Sequence, residues 1–355
     1  MKIDVIVSAI IPGGGITTFV TQLCKRLSSK YLVRLIVTHK EVEEEQVIYL
    51  NMFLSRGLID ISKSYKLWRY IRLIHIWRSD MPDYIINNYN AVGQYVLPIL
   101  ASRVRNLHIV HGITPDFKRV ATINKSYTSH WVVPSIKTAE MIMTGNKSVR
   151  AEDITVIPHG VEEISEVNII GQKLQNKIFL IYVGVLEEHK GADVLPDIVK
   201  LLEKRNISYQ FNIIGEGSLR EILCKNLASE MSEDKVRLHG VIRHEAVLKM
   251  FTQANILVYP TRIDSFGLVI AESMMAGCVP IVGKIAGVTD QIIDNARDGF
   301  LVSVKAEEIV QKICELRQDF QLLERMSVQA RYTASVRYSL TAMTEAYNRL
   351  LIQLL

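Results

Sequence analysis

At 355 residues the chain exceeds one ordinary domain and fits two of about 150 to 200 residues each. A composition of 48% hydrophobic and 22% charged residues fills two sizeable cores and excludes a disordered chain, and no apolar run reaches the ~18 residues of a membrane-spanning helix. The net charge of +5 is unevenly spread: residues 1–150 carry 20 basic and 10 acidic residues, whereas residues 151–355 carry 22 and 27. A basic front half fits an anionic partner, either phosphate groups or a membrane surface. No zinc-finger, RNP or basic-zipper pattern supports nucleic acid as that partner.

Along the chain, short apolar runs alternate with helix-length amphipathic stretches, the pattern of parallel sheets covered by helices. The first run, Ile3–Ala9, is interrupted by Asp4 and runs into Pro12-Gly13-Gly14-Gly15, so it reads as a strand and not as a signal peptide. Further strands are expected at Val33–Thr38, Tyr84–Asn87, Leu107–Val110, Trp131–Val133 and Thr155–Ile157. A polar, acid-rich stretch without periodicity, Val161–Lys177, reads as a linker. A second set of strands follows at Phe179–Val183, Phe211–Ile214, Val236–Leu238, Ile256–Tyr259, Pro280–Val282 and Phe300–Val302. The expected division is residues 1–165, 166–330, and a last helix (331–355) reaching from about Arg331 to Leu354 and packing on the first domain. The four cysteines are far apart and lack metal-ligand spacing, which fits free thiols in a reducing cytoplasm.

Several segments carry chemistry. Pro12-Gly13-Gly14-Gly15-Ile16-Thr17 follows the first strand and opens a helix, so Gly14 and Gly15 line a mouth where a ligand can press on the backbone; a tight turn is the alternative. Lys63–Arg78 reads as a basic amphipathic helix with Leu67, Ile71 and Ile74 as its apolar stripe and Trp68 and Trp77 at the borders. It reads either as a sheet-covering helix or as a docking element for an anionic leaflet through Lys63, Lys66, Trp68, Arg69 and Arg72. His111 follows a strand and precedes Gly112, at the end of a strand where open α/β sheets bind ligands. Gly184 ends a strand before a polar loop containing Lys190, a point charge for phosphate or simply a surface lysine. Gly215 and Gly217 form a Gly-x-Gly turn after the next strand, with an ordinary turn as the alternative.

The densest segment is Tyr259-Pro-Thr-Arg-Ile-Asp-Ser-Phe-Gly-Leu268, continuing to Glu272 and Gly277. Asp264 and Ser265 are helix-capping types, and a helix is expected from about Leu268 to Ala276. Treated as one helical run, eight residues separate Asp264 from Glu272 by ~12 Å along the axis. The amides of Phe266, Gly267 and Leu268 would face an anion between the two acids, a layout suited to a sugar, a diphosphate and a ribose. Otherwise Asp264 is a plain cap and Glu272 a surface acid.

This string resembles the E-x7-E signature of retaining glycosyltransferases of family 4, which have the GT-B fold, with Asp264 replacing the first glutamate. The Gly184–Lys190 segment resembles the family's phosphate-binding segment, with Val185 at its arginine position. The Gly215–Gly217 turn, His111-Gly112 and the glycine loop have similar counterparts. His159-Gly160-Val161-Glu162 resembles the turn before the interdomain linker and reads as architectural. The resemblance implies two Rossmann-like α/β domains facing a cleft, the C-terminal helix crossing back to the first. The second domain would hold a nucleotide diphosphate sugar, and the first an acceptor hydroxyl, lipid-linked in one version.

By the same resemblance Glu272 would hold the ribose, Asp264 the sugar hydroxyls, and Lys190 with the Phe266–Leu268 amides the diphosphate. Ile242 would border the base pocket, and His111 would lie beside the transferred sugar. The implied activity is sugar transfer with retention, in glycan, polysaccharide or glycolipid biosynthesis, in the cytoplasm or peripherally on the inner face of the membrane. No cofactor is implied, and the lack of any Asp-x-Asp pair fits metal-independent stabilisation of the leaving diphosphate. Nucleotide-sugar epimerases, phosphorylases and non-catalytic nucleotide-sugar binding proteins remain open alternatives.

Overall fold

The computed structural model describes residues 1–11, 15–100, 104–145, 148–164 and 177–354. The chain forms two compact units: Met1–Pro158 joined by Thr344–Leu355, and His159–Met343. Most of the stretch expected to be a linker, residues 165–176, lies outside the described residues.

The first unit is built on a seven-stranded sheet of β1 (Lys2–Val7), β2 (Leu32–Val37), β3 (Leu58–Asp60), β4 (Tyr84–Asn88), β5 (Arg105–Ile109), β6 (His130–Val133) and β7 (Ile154–Val156). The strands pair in the order β3-β2-β1-β4-β5-β6-β7, all parallel. Ile3 stands opposite Val33 on one side and Tyr84 on the other, so strand order reverses at β1 and β4. Both faces of such a sheet are covered, which is why its central strands read as continuous apolar runs. The edge strand β3 was not expected. Its three residues are only half-buried, and so short a piece carries no periodicity to read.

The second unit repeats the plan with six parallel strands: β8 (Ile178–Val183), β9 (Tyr209–Ile214), β10 (Val236–Gly240), β11 (Ile256–Tyr259), β12 (Val279–Gly283) and β13 (Phe300–Val302). Their order is β10-β9-β8-β11-β12-β13, with the reversal between β8 and β11. Each unit is thus a Rossmann-like layer structure, and ligands of such sheets bind beyond the carboxyl ends of the strands at the reversal.

Two helices, Phe320–Arg337 and Leu340–Gln353, replace the single last helix expected. The break has a local cause. Val161 bridges to Ser339, its amide taking the Tyr338 carbonyl at 2.8 Å and its carbonyl accepting from the Leu340 amide at 3.1 Å. Beyond the break the chain packs within the first unit, where the Tyr84 hydroxyl donates to the Leu351 carbonyl at 2.9 Å and Tyr347 lies 6.3 Å from Phe19, ring to ring.

Candidate active site

At the carboxyl ends of β8 and β11, two loops are stitched together. The amides of Arg262 and Ile263 donate to the His189 carbonyl at 2.9 and 3.2 Å, and the Arg262 guanidinium grips Asp193 through both carboxylate oxygens at 2.6 and 2.8 Å. Gly191 permits this approach: its φ is +73°, and a Cβ there would fall 1.9 Å from the Pro260 carbonyl oxygen. Gly215 does the same at the end of β9, with φ +138° and a virtual Cβ 1.9 Å from the Gly184 carbonyl oxygen. Gly184 and Gly217 therefore sit within one backbone cluster, with Gly217 against the Leu186 backbone. Ile242 is half-buried against the core of this unit.

The stitching sets Lys190 beside Asp264. The Lys190 ammonium donates to Asp264 Oδ2 at 2.9 Å and to the Ile263 carbonyl at 3.1 Å. The buried Tyr259, last residue of β11, donates its hydroxyl to the same Oδ2 at 2.8 Å. The other carboxylate oxygen, Oδ1, accepts from the Ser265 amide at 2.8 Å. Asp264 therefore has a fixed orientation, and its side chain keeps only 12% exposure. Burial, followed by the Asp264 charge, drives the Tyr259 phenol well above its ordinary pKa, so it remains a hydrogen-bond donor.

The helix starts where expected, at Leu268, but neither Asp264 nor Ser265 is its cap. Gly267, at φ +90°, is the N-cap, and the helix runs Leu268–Met275. Asp264 caps the turn before it, so a helical rise does not describe its spacing from Glu272. Only Glu272 is on the helix. No hydrogen bond among the described residues engages the amides of Gly267 and Leu268, whereas the Phe266 amide leans on Asp264 Oδ1 at 3.4 Å. Phe266 itself is buried, edge-on to His159 at 5.4 Å. His159 is pushed down to about 4 by its burial and is a neutral packing residue.

Glu272 is paired as well. Its Oε1 lies 2.8 Å from His244 Nε2, on the first residue of the helix His244–Gln253. That hydrogen bond, outweighing burial, raises the His244 pKa. An acid, a cation with its acid, and free amides thus gather at the reversal of strand order in one unit. Such an array can hold an anion flanked by hydroxylated groups.

Two family descriptions divide the chain. Residues 13–163 match "Glycosyltransferase Family 4", and residues 165–333 match "Glycosyl transferases group 1". The chain belongs to glycosyltransferase family 4. An uncharacterized glycosyltransferase of Methanocaldococcus jannaschii is 25% identical over 330 residues, covering 87% of this chain and 86% of the relative. The alpha-D-kanosaminyltransferase of Streptomyces kanamyceticus is 28% identical over 170 residues, 48% of this chain and 44% of the relative. The chain thus spans under half of that curated relative. The GT-B fold is shared with the Anabaena HepE structure in complex with UDP, at a TM-score of 0.82 and 17% identity over 99% of this chain and 100% of the other. A lipopolysaccharide outer core galactosyltransferase, WaaB, aligns at 0.77 and 16% identity over the full length of both chains.

The remaining expected site residues belong to the first unit. His111 follows β5, is buried, and lies 3.2 Å from Asn88 Oδ1 through Nε2 and edge-on to Phe19 at 5.0 Å. Gly15 opens the helix Gly15–Leu27, while Gly14 lies outside the described residues. Tyr259 and His244 are the two residues that sequence reasoning passed over. Tyr259 reads as the last apolar residue of a strand, and no motif singles out His244; their pairing with the two acids is purely tertiary.

Proposed function

We propose that the chain transfers a sugar from a nucleotide diphosphate sugar to an acceptor hydroxyl with retention at the anomeric carbon. The observation that carries this reading is the arrangement at the ends of β8 and β11: Lys190 and Asp264, the unengaged amides of Gly267 and Leu268, and Glu272 one turn into the helix. In this reading Glu272 binds the ribose, Asp264 the sugar hydroxyls, and Lys190 with the helix-start amides the diphosphate, while Ile242 borders the base. His111 orients the transferred sugar, and Gly15, at the start of its helix, admits it. The bond from the anomeric carbon to the diphosphate oxygen breaks, the acceptor oxygen bonds to the same face, and the acceptor proton passes to the departing diphosphate. Charge on the leaving group is stabilised by Lys190 and the amides, without a metal or further cofactor. The reaction belongs to glycan, polysaccharide or glycolipid assembly and is assigned to the cytoplasm.

Anabaena HepE forms complexes with UDP and UDP-glucose, which makes uridine diphosphate sugars the first donors to screen by thermal shift. With a donor in hand, Glu272→Ala is expected to abolish nearly all turnover; full activity would sink this site. The anomeric proton of the product, read by NMR, tests retention, and turnover in excess chelator tests metal independence. Val185, 50% exposed where the family carries arginine, favours weaker donor chemistry. Donor consumed without any acceptor would mark an epimerase, and binding with neither consumption nor transfer would mark a non-catalytic protein.

A further inference from the structure

Of the expected stripe, the helix Lys66–Ser79 turns only Ile74 toward the core. Leu73 and Trp77 are buried, and Tyr70, Ile74 and Ile76 pack against the same core. Leu67, Trp68 and Ile71 are left outside, at 70%, 57% and 43% exposure, next to Tyr65 at 87%. The patch continues onto the helix Ala91–Leu100. Tyr70 meets Tyr95 edge-on at 6.3 Å, and Tyr95 and its i+4 neighbour Ile99 are themselves half-exposed. Single exposed apolar residues need no explanation, but five across two adjoining helices, with Tyr65 at the start of one, do.

Charge identifies the occupant. Within Lys66–Ser79 there are four basic residues, Lys66, Arg69, Arg72 and Arg78, and no acid. Residues 51–150 as a whole carry 14 basic and 5 acidic residues. The helix start is braced: Arg69 donates to the Ser64 and Ser62 carbonyls, both at 2.9 Å, and Arg72 to the Ser64 hydroxyl at 2.9 Å. Lys63, expected to join the basic face, is instead paired with Glu41. We infer that this two-helix face seats on an anionic lipid leaflet, with Leu67, Trp68 and Ile71 entering the headgroup–acyl boundary and Lys66, Arg72 and Arg78 meeting lipid phosphates. Aromatic and aliphatic side chains rimmed by cations, with no acid among them, match that boundary in both layers. The face thereby supplies a peripheral membrane contact, independent of how the donor is bound.

The chain contains its own reporter. Of the three tryptophans, Trp77 and Trp131 are buried and only Trp68 is exposed, so a change in emission on vesicle binding reads this face. The full chain is mixed with vesicles of phosphatidylcholine alone, or of phosphatidylcholine with phosphatidylglycerol, at low and high salt. The expected result is co-sedimentation with the anionic vesicles at least tenfold above the neutral ones, with a blue-shifted emission and weakening by salt. Lys66→Glu with Arg78→Glu, and separately Leu67→Ser with Trp68→Ser, should each cut that binding about tenfold with an unchanged melting midpoint. No binding by the unaltered chain, equal binding to neutral vesicles, or variants that bind as it does would overturn the proposal. So would a dimer in light scattering that Leu67→Ser with Trp68→Ser dissolves while vesicle binding is absent. Donor binding, followed in the same samples, reports separately on the transferase reading.

Discussion

Replacing Tyr259 with phenylalanine tests whether Asp264 is held for function. The substitution keeps the ring and its packing near Tyr182 (6.3 Å between centroids) and deletes one oxygen, the donor 2.8 Å from Asp264 Oδ2. A hydrogen bond to a charged acceptor contributes ~1.5–3 kcal/mol. The low end applies, because Asp264 keeps the Lys190 ammonium and the Ser265 amide. About 1.5 kcal/mol corresponds to a fall in melting midpoint of roughly 3–6 °C for a unit of this size. If the fixed carboxylate orientation serves the sugar hydroxyls, the same energy appears in turnover as a roughly tenfold loss of kcat/KM. Scanning calorimetry and steady-state kinetics on Tyr259→Phe, Asp264→Asn and the double variant supply both quantities, and the cycle should give a coupling of ~1 kcal/mol or more. A lowered midpoint with unchanged kcat/KM in Tyr259→Phe would make the bond merely structural, and unchanged kcat/KM in Asp264→Asn would remove Asp264 from the site. Unchanged values in both assays would refute the bond itself.

Gly215→Ala forces a side chain into φ +138° and against the Gly184 carbonyl, so a loss of ~3 kcal/mol in denaturant unfolding is expected, together with loss of the nucleotide-sugar thermal shift. Asp4, fully buried, receives Arg34, Arg56 and the Trp77 indole; Asp4→Ala leaves both guanidiniums with Asp80 alone and the indole N–H without its acceptor, and should cost ~3 kcal/mol, seen as a lowered urea midpoint. Burial pushes His108 down to about 3, and neither ring nitrogen has a hydrogen-bond partner among the described residues. The unfolded chain takes up its proton below about pH 6.5 while the folded chain does not, so stability falls as the pH drops from there toward 3. At pH 5 this one residue costs ~2 kcal/mol relative to pH 7, and His108→Leu should flatten the difference in urea midpoint between the two pH values. An equally steep difference in the variant would contradict the assignment.

Twelve of the strands were legible because a parallel strand covered on both faces is an uninterrupted apolar run, as Ile178–Val183 and Ile256–Tyr259 are. The glycines at 184, 215 and 217 and the acid at 272 were legible as candidates because residue type and spacing limit what such positions can do. What could not be read was pairing. Lys190 stands 74 residues from Asp264, and His244 stands 28 from Glu272. Only the order of β8 and β11 brings the first pair together. The same limit hid the cap: the helix begins at Leu268 as expected, but Gly267, and not Asp264 or Ser265 with their capping side chains, takes the left-handed φ from which it departs.

The helix Lys66–Ser79 shows how one distant contact resolves an ambiguous pattern. Leu67, Ile71 and Ile74 lie at helical spacing, and so do Tyr70, Leu73, Ile74 and Trp77, so periodicity alone supports either stripe as the buried one. Trp68 and Trp77 are nine residues apart, which at 100° per residue places them on opposite sides, a difference of ~180°. Burying one indole therefore turns the other outward. Asp4 decides which: its carboxylate accepts the Trp77 indole N–H at 2.9 Å while holding Arg34 and Arg56, a bond that Trp68 has no counterpart for. A buried charge network on β1 thus fixes the rotation of a surface helix, and with it the apolar face presented to solvent.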